Sequence, residues 1–507
     1  MSRRLLALAP MAVEAAALRR HSTTSLVAVT GAGSRRAAAA RAATVRSGRE
    51  RPDAFSAVTV AGIAGGLTAR VGPGDIVVAD RVVRADGSLV AEVASAPILA
   101  AALRRDGLRA VIGTVVAADR LVRTDRQRSE LARRTGALAV DLESAELMSG
   151  PWPWPSAVVR AVADAPGRRL VSPATVPDLA RALRSLGHAA PTLERWAAAA
   201  APRTVLLASP RSFCAGVERA IDTVRRGLDR FGAPLYVRRQ IVHNEHVVAE
   251  LEAAGAVFVQ ELDAVPDGST VVFSAHGVAP SVRDDARRRG LRIVDATCPL
   301  VAKVHTEVRR WRDRGHQLVL IGHPGHDETE GTLGEAPGMA LVEVPADVDG
   351  IHLDPDRPVA YATQTTLAPD ETAATVEALA ARFPQLVGPS ASDICYATHN
   401  RQEAVRAVAG RSDVVLVVGS GTSSNSRRLV EVAERAGTPA HLIDDERDLD
   451  LGWLADAGTV GVTAGASAPE AAVQRVVAAL GGLGTIDIRT ETVRRETVSF
   501  SLPQEVR

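Results

Sequence analysis

Short apolar runs alternate along the chain with stretches in which apolar positions recur every third or fourth residue, the pattern of strands followed by helices. Leu5–Ala9, Leu26–Val29, Ala57–Val60, Asp75–Val78, Ala110–Val116 and Ala157–Val162 read as short buried strands with helices between them. The pattern breaks over Ala189–Arg203, where Pro191, a helical Leu193-Glu194-Arg195-Trp196, five consecutive alanines and Pro202 precede a new strand. This divides the chain into an α/β domain over 1–190, a linker over 191–202 and a second α/β domain over 203–484. From about Thr485 helical periodicity is lost, which predicts an edge strand and a frayed tail over 485–507. Strand and helix alternation of this kind implies parallel sheets, whose ligands bind at the carboxyl ends of the strands.

Three of these strand ends carry the chain's three cysteines. Cys214 follows the run Val205–Ala208, Cys298 follows Ile293–Ala296, and Cys395 follows Asp393-Ile394, so each thiol is expected at a strand-to-helix junction. Helical periods follow at Val217, Ile221, Val224 and Leu228, and at Val301, Val304, Val308 and Trp311, with Pro299 as a preferred first helical residue. At a helix N-terminus the macrodipole and free N–H groups favour thiolate, the form that binds metal. The cysteines lie far apart compared with the C-x-x-C spacing of small metal modules, so a shared site must be built by the whole fold. An isolated cysteine is ordinarily a small buried apolar residue. Three at equivalent places weigh against that.

Charge narrows the partners. With 60 basic and 59 acidic residues the formal charge is +1, which gives no basis for nucleic-acid or anionic-membrane binding and leaves small molecules and proteins. Apolar residues at 46% allow a large core, and nearly every base is Arg, Lys303 being the single lysine. A low, odd cysteine count fits a reducing cytosol. The start, Ser2-Arg3-Arg4 and an apolar stretch to Leu18, resembles a signal peptide, but Glu14 interrupts it and no small-residue cleavage pattern follows. No apolar stretch approaches the roughly 18 residues of a membrane span. A soluble, cytoplasmic protein is expected.

Polar loops fall between the periodic segments. His243, His276, His323 and His326 sit in loops rich in Gly and Ser, where imidazoles bind phosphate, ligate metal or move protons. Glu328 offers a carboxyl for general acid work if its pocket is dry, with Glu330 a solvated neighbour. Gly419–Ser426 joins a Val-rich strand to a helix from about Arg427, and its amides and hydroxyls suit a diphosphate. It lacks the third glycine of a dinucleotide fingerprint. Ser467-Ala-Pro-Glu470 has the pattern of a capping box, whose hydroxyl can also face a ligand.

These motifs appear together, in order, as Pro210-Arg-Ser-Phe-Cys-Ala-Gly-Val217, Val242-His-Asn244, Ser274-Ala-His-Gly277, Asp295-Ala-Thr-Cys-Pro299, Gly322-His-Pro-Gly-His-Asp-Glu328, Thr363-Gln-Thr-Thr366, Asp393-Ile-Cys-Tyr396 and Ser423-Ser-Asn-Ser426. Over residues 203 to 482 the chain thereby resembles the 4-hydroxy-3-methylbut-2-enyl diphosphate reductase family. The resemblance implies three α/β subdomains around a central 4Fe-4S cluster held by Cys214, Cys298 and Cys395, with the fourth iron open to a substrate hydroxyl. It implies an iron-sulfur oxidoreductase at the last step of the non-mevalonate isoprenoid pathway, forming isopentenyl and dimethylallyl diphosphate. His243, His276, Ser423, Asn425 and Ser467 would bind the diphosphate, with Ser424 and His326 adjoining. Glu328 would deliver protons, and Thr365, beside Thr366, would position the substrate alcohol and help that relay. Asp327 receives no role, and a surface or helix-end place suffices for Lys303. Ferredoxin or flavodoxin would supply electrons. The rival of different class is an iron-sulfur sensor or electron-transfer protein.

Residues 1–190 resemble the purine nucleoside phosphorylase and nucleosidase superfamily through Leu8-Ala-Pro-Met-Ala-Val-Glu14, Thr30-Gly-Ala-Gly33, Ala61–Gly66, Val71–Val77, Val140-Asp-Leu-Glu-Ser144 and Arg160-Ala-Val-Ala-Asp164. That resemblance implies that Asp164 protonates a departing base, Glu143 contacts ribose hydroxyls and Glu14 helps activate water. The domain is compact for that superfamily, so two readings stand: a nucleosidase-like enzyme, or a degenerate domain kept for folding or partner contact.

Overall fold

The computed structural model describes residues 4–167, 175–354 and 356–507; Ser2 and Arg3 of the charged start lie outside them. The chain forms two compact units, one of Met1–Val205, Asp445–Val460 and Gln474–Ile488, the other of Leu206–Asp444, Gly461–Val473 and Arg489–Arg507. Among the described residues no helix is long and apolar enough to cross a membrane.

In the first unit the strands run in the order Leu26–Val29, Leu5–Ala9, Ala57–Gly66, Ala139–Asp141, Ala110–Ala117, Ile76–Arg84 and Leu89–Glu92. Ser156–Asp164 pairs with both Ala57–Gly66 and Ile76–Arg84, so part of the sheet closes into a ring. Leu26–Val29 is the outer strand of this order rather than a buried one, with Leu26 53% and Val29 48% exposed, because an end strand has a neighbour on one side only. The helix Thr175–Ala199 continues through Pro191, so most of the expected linker is helical. Its apolar face carries Leu186, Leu193 and Trp196, all fully buried, which outweighs the hydrogen bond that proline forfeits.

Three further lobes, each centred on a sheet, lie within residues 203–492. One has a parallel sheet in the order Ala256–Val259, Leu235–Arg238, Thr270–Phe273, Arg292–Asp295. Another orders Ala340–Val342, Gln317–Ile321, Val359–Thr363 and Leu386–Val387, again all parallel. The third sheet runs Ala440–Ile443, Val414–Val418, Thr459–Ala464, Arg203–Ser209, Ile486–Thr492. The three-lobed α/β arrangement is the one expected from the sequence.

The C-terminal segment corrects the expectation of fraying. Beyond the strand Ile486–Thr492 it has almost no regular structure, yet Val506 is 4% exposed and packs, with Leu502, into the core formed by Ile221, Val237 and Val272. Tertiary burial holds it without periodicity.

Phe383, 1% exposed, closes the core of the Gln317–Val387 lobe against Val319, Ile321 and Leu379. Phe383→Ala is expected to cost about 3–5 kcal/mol by removing buried contacts and leaving a cavity. A lowered midpoint of thermal unfolding checks this; an unchanged midpoint would show that the lobe is not packed as described.

Candidate functional site

Each cysteine is the residue immediately before a helix: Cys214 before Ala215–Phe231, Cys298 before Pro299–Asp313, Cys395 before Tyr396–Ala409. Strands Arg203–Ser209 and Arg292–Asp295 lead towards the first two. Cys395 differs from expectation, because the residues after Leu386–Val387 form a loop, and its N–H is tied to the Thr365 carbonyl at 3.0 Å. All three thiols are free and line one cavity of about 110 Å³. Gly216 lies against two of them: a Cβ there would sit 2.8 Å from Cys298 Sγ and 3.8 Å from Cys214 Sγ.

The helix N-termini do not make Cys298 or Cys395 acidic. Burial pushes Cys298 up to about 12 and Cys395 up to about 11, with the other thiols adding to the rise. Backbone N–H groups at the helix starts, such as Thr398 N to Cys395 Sγ at 3.2 Å, oppose the shift and lose. Cys298 and Cys395, half-buried on one cavity wall, become thiolates together only if a positive group compensates them. Among the described residues, the one set of three such ligand atoms all within 4.8 Å of one another is His243, His276 and Asp327. The three sulfurs do not form such a set.

Glu328 lies on the same cavity, 4% exposed. Its Oε1 accepts from Thr365 N at 2.7 Å and its Oε2 from Thr365 Oγ1 at 3.0 Å. Burial pushes this carboxyl up to about 7, outweighing both hydrogen bonds, with Asp393 adding to the rise. A carboxyl so placed holds a proton near neutral pH, at hydrogen-bond distance from a hydroxyl that can pass it on.

The imidazoles shift the other way. His243 and His276 stack with ring centroids 4.1 Å apart, and His326 lies edge-on to them at 5.2 and 5.8 Å. Burial lowers His243 and takes His276 well down, while burial and His243 hold His326 at about 4. His326 Nδ1 accepts from Glu328 N at 3.1 Å at the start of helix Asp327–Gly334. His243 Nε2 is buried without a hydrogen-bond partner. Neutral rings with unused nitrogen capacity facing a cavity are suited to an incoming polar ligand.

Opposite them, the loop after Val414–Val418 opens the helix Ser424–Arg435, three residues earlier than expected. Ser423 caps it by accepting from Ser426 N at 3.3 Å, and Ser467 Oγ donates to Ser423 Oγ at 3.3 Å. Thr366 Oγ1 donates to Ser424 Oγ at 3.0 Å, and Asn425 Oδ1 accepts from Ala466 N at 2.9 Å. The helix after Ser467 starts at Glu470, whose carboxylate takes Arg211 at 2.6 Å and Ser212 Oγ at 2.8 Å. Ser467 is left facing the cavity.

Other candidates lie elsewhere. His323 is 2.8 Å from Glu343 in a different pocket. Lys303 bonds the Ala391 carbonyl at 3.0 Å and Asp393 at 3.3 Å, fastening the loop before Cys395. Asp327 and Glu330 both take Arg239, at 2.5 and 2.6 Å, a residue held at φ +57° that sequence reasoning missed. Also missed were Tyr396 and Phe500, which line the thiol cavity.

The first unit has its own cavity, about 340 Å³, lined by Glu14, Glu143 and Asp164. Glu14 accepts from Met11 N and Ile63 N, each at 2.7 Å, and is raised above the usual carboxylate range chiefly by burial. Glu143 accepts from Gly33 N at 2.8 Å. Asp164 is forked by the buried Arg128 guanidinium, at 2.9 and 2.6 Å.

Three α/β lobes around a thiol-lined cavity, with a buried proton-holding carboxyl and a polar ligand-binding wall, define a multi-lobed α/β enzyme. The chain belongs to the LytB protein family, which matches residues 205–481. It is 59% identical over 309 residues to 4-hydroxy-3-methylbut-2-enyl diphosphate reductase 1 of Mycobacterium tuberculosis, covering 60% of this chain and 94% of that one. The reductase of Aromatoleum aromaticum is 57% identical, over 60% of this chain and 98% of its own. The structure of the E-1-hydroxy-2-methyl-but-2-enyl-4-diphosphate reductase from Plasmodium falciparum superposes with a TM-score of 0.58 at 37% identity, covering 60% of this chain and 97% of that one. Residues 17–149 match the phosphorylase superfamily.

The Glu328–Thr365 pair yields a direct check. Thr365→Val removes the hydroxyl that lowers the Glu328 carboxyl, so that carboxyl is expected to titrate above its present value of about 7. Infrared or carbon NMR titration of Glu328 reads this, and an unmoved midpoint would mean that the hydroxyl does not donate to it.

Proposed function

We propose that residues 203–484, with the strand and tail 485–507, form a reductase that converts (E)-4-hydroxy-3-methylbut-2-enyl diphosphate to isopentenyl and dimethylallyl diphosphate. The observation that carries the reading is the meeting in one cavity of three thiols, the Glu328–Thr365 pair and a wall of hydroxyls and neutral imidazoles. Cys214, Cys298 and Cys395 would hold a 4Fe-4S cluster. Such a cluster, when bound, supplies electrons and one iron position open to the substrate's hydroxyl.

The reaction consumes two electrons and two protons: the allylic C–O bond breaks, water leaves, and a new C–H bond forms at one of two carbons, giving the two products. The diphosphate sits against His243, His276, Ser423, Asn425 and Ser467, with Ser424 and His326 adjoining. The imidazoles and hydroxyls donate hydrogen bonds to it, and the helix starting at Ser424 adds its positive end. Glu328 holds its proton on a carboxyl oxygen and passes it through Thr365 Oγ1 towards the departing oxygen. A ferredoxin- or flavodoxin-type protein delivers the electrons, in the reducing cytoplasm that suits such a cluster. An iron-sulfur sensor or electron-transfer protein would have no use for the Glu328–Thr365 pair.

Glu328→Gln is expected to keep iron and sulfide but lose roughly 10²–10⁴-fold in turnover, the range for a positioned general acid. Cys298→Ser is expected to lose both cluster and turnover. The donor form of Glu328 is the acid, so wild-type turnover should fall as pH rises through about 7. Anaerobic assay with a chemical reductant, beside iron and sulfide analysis, measures all three. Wild-type turnover in Glu328→Gln would remove Glu328 from the relay.

For the first unit we propose a nucleosidase-like pocket within residues 1–190. Glu14, raised by burial, would take a proton from water, and Glu143 would meet ribose hydroxyls. Glu143 lies inside the span that matches the phosphorylase superfamily, whereas Glu14 and Asp164 lie outside it. Asp164 would protonate the departing base once the Arg128 fork opens. The full chain should therefore release free base from a purine nucleoside, and Glu14→Gln should abolish the release while leaving the reductase unchanged. No base release from the wild type would favour a degenerate domain.

A further inference from the structure

The segment after Thr492 lies outside the span that matches the LytB family and has little regular structure, yet two arginines tie it to all three cysteine loops. Arg401, with no exposed surface, sits on the helix that Cys395 opens. One side of its guanidinium meets the carboxylate of Glu496 at 3.1 Å. The rest donates to the carbonyls of Ser212 at 2.7 Å and Phe213 at 3.2 Å, just before Cys214, and of Ala397 at 3.1 Å, just after Cys395. Ser212 needs such a hold, being a non-glycine residue at φ +61°. Arg219 repeats the device at the third thiol. It donates to the Ser501 carbonyl at 2.8 Å and to the carbonyls of Ala296 and Thr297, each at 3.0 Å, just before Cys298.

Between these two anchor points the segment places Phe500 in the wall of the thiol cavity. Beyond them Val506 is buried in the core of the lobe that carries Cys298, so the segment is fastened at its far end as well.

We propose that residues 493–507 are a strap that closes the thiol site: Glu496, through Arg401, positions the Cys214 and Cys395 loops, and Phe500 shields the three sulfurs from solvent and oxidants. Glu496 is a positioning residue, because it touches no sulfur. A buried guanidinium stripped of its counter-ion would release the carbonyls it orders or draw water in, and either change loosens the loops. Phe500 acts by occupying space, and its truncation opens the wall without breaking an anchor.

If the thiols carry a cluster as proposed above, Phe500→Ala should bind iron and sulfide anaerobically like the wild type but bleach several-fold faster in air. Glu496→Ala should show a broadened or altered paramagnetic resonance spectrum of the reduced cluster, and Glu496→Gln, which keeps an acceptor for Arg401, should restore it towards wild type. A second measurement does not need the cluster. In the full-length chain without iron, N-ethylmaleimide should modify Cys214, Cys298 and Cys395 several-fold faster in Phe500→Ala than in wild type, read by mass spectrometry. Failure of the wild type to take up iron and sulfide would overturn the cluster reading and leave the maleimide result to judge the strap. Wild-type bleaching and wild-type maleimide rates in Phe500→Ala would overturn the strap itself, even if Glu496→Ala fails to fold.

Discussion

Desolvation in an apolar cavity is unfavourable for the ionised form of Cys298 and Cys395, and much of the second unit answers to that constraint. Cys298 rises to about 12 and Cys395 to about 11 despite the N–H groups of the helices they precede. A sulfur in such a place is a poor nucleophile and a poor lone anion, but a good ligand for a group that brings its own positive charge. The cavity must also hold the three sulfurs in place, and they do not form a set within 4.8 Å of one another. Separate lobes do this better than one loop, because the Cys214 and Cys298 ends are set by packed sheets while the Cys395 loop is fastened by Thr365 and Lys303. Gly216 follows from the same constraint, as any side chain there would fill the space between Cys298 and Cys214.

The same dryness sorts the protons around the thiols. Desolvation raises an acid and lowers a base, so Glu328 moves up to about 7 while His326 moves down to about 4. Near neutral pH the carboxyl can keep a proton and the imidazoles stay uncharged. One environment thus produces a proton donor on one wall and neutral hydrogen-bond donors on another, without a lysine in either. Lys303, the single lysine in the chain, is used on the loop before Cys395 instead.

What could be read from the sequence follows from how local each signal is. Cys214 and Cys298 announce themselves because an apolar strand, a thiol and a helical period lie within a few residues. Ser423 and Asn425 do so because a Val-rich strand must turn into a helix there. The loop before Cys395 has no such strand, and the capping pattern at Ser467 does not announce that Glu470 also holds the distant Arg211. Arg219, Arg239 and Arg401 were illegible because arginine is abundant and usually solvated; only the fold reveals that Arg401 is fully buried. The tail was misread for a related reason. Its apolar residues Phe500, Leu502 and Val506 follow no strand or helix period, since Phe500 enters the thiol cavity while Leu502 and Val506 pack into a core prepared by residues far away in sequence.

The two cavities show that a carboxyl's surroundings, not its presence, decide what it can do. Glu328 is buried with a hydroxyl and an N–H for partners, neither of which carries charge, so protonating it strands no counter-ion. Asp164 in the first unit is held through both oxygens by a buried guanidinium, and protonating it would leave that cation without its counter-charge. Glu14 stands between these cases: two backbone N–H groups hold it, Arg160 pulls it down, and burial still wins. The thiol cavity at rest therefore holds a carboxyl that can carry a proton beside a hydroxyl. In the first unit the guanidinium fork sets Asp164 apart from Glu14, whose hydrogen-bond partners are backbone N–H groups.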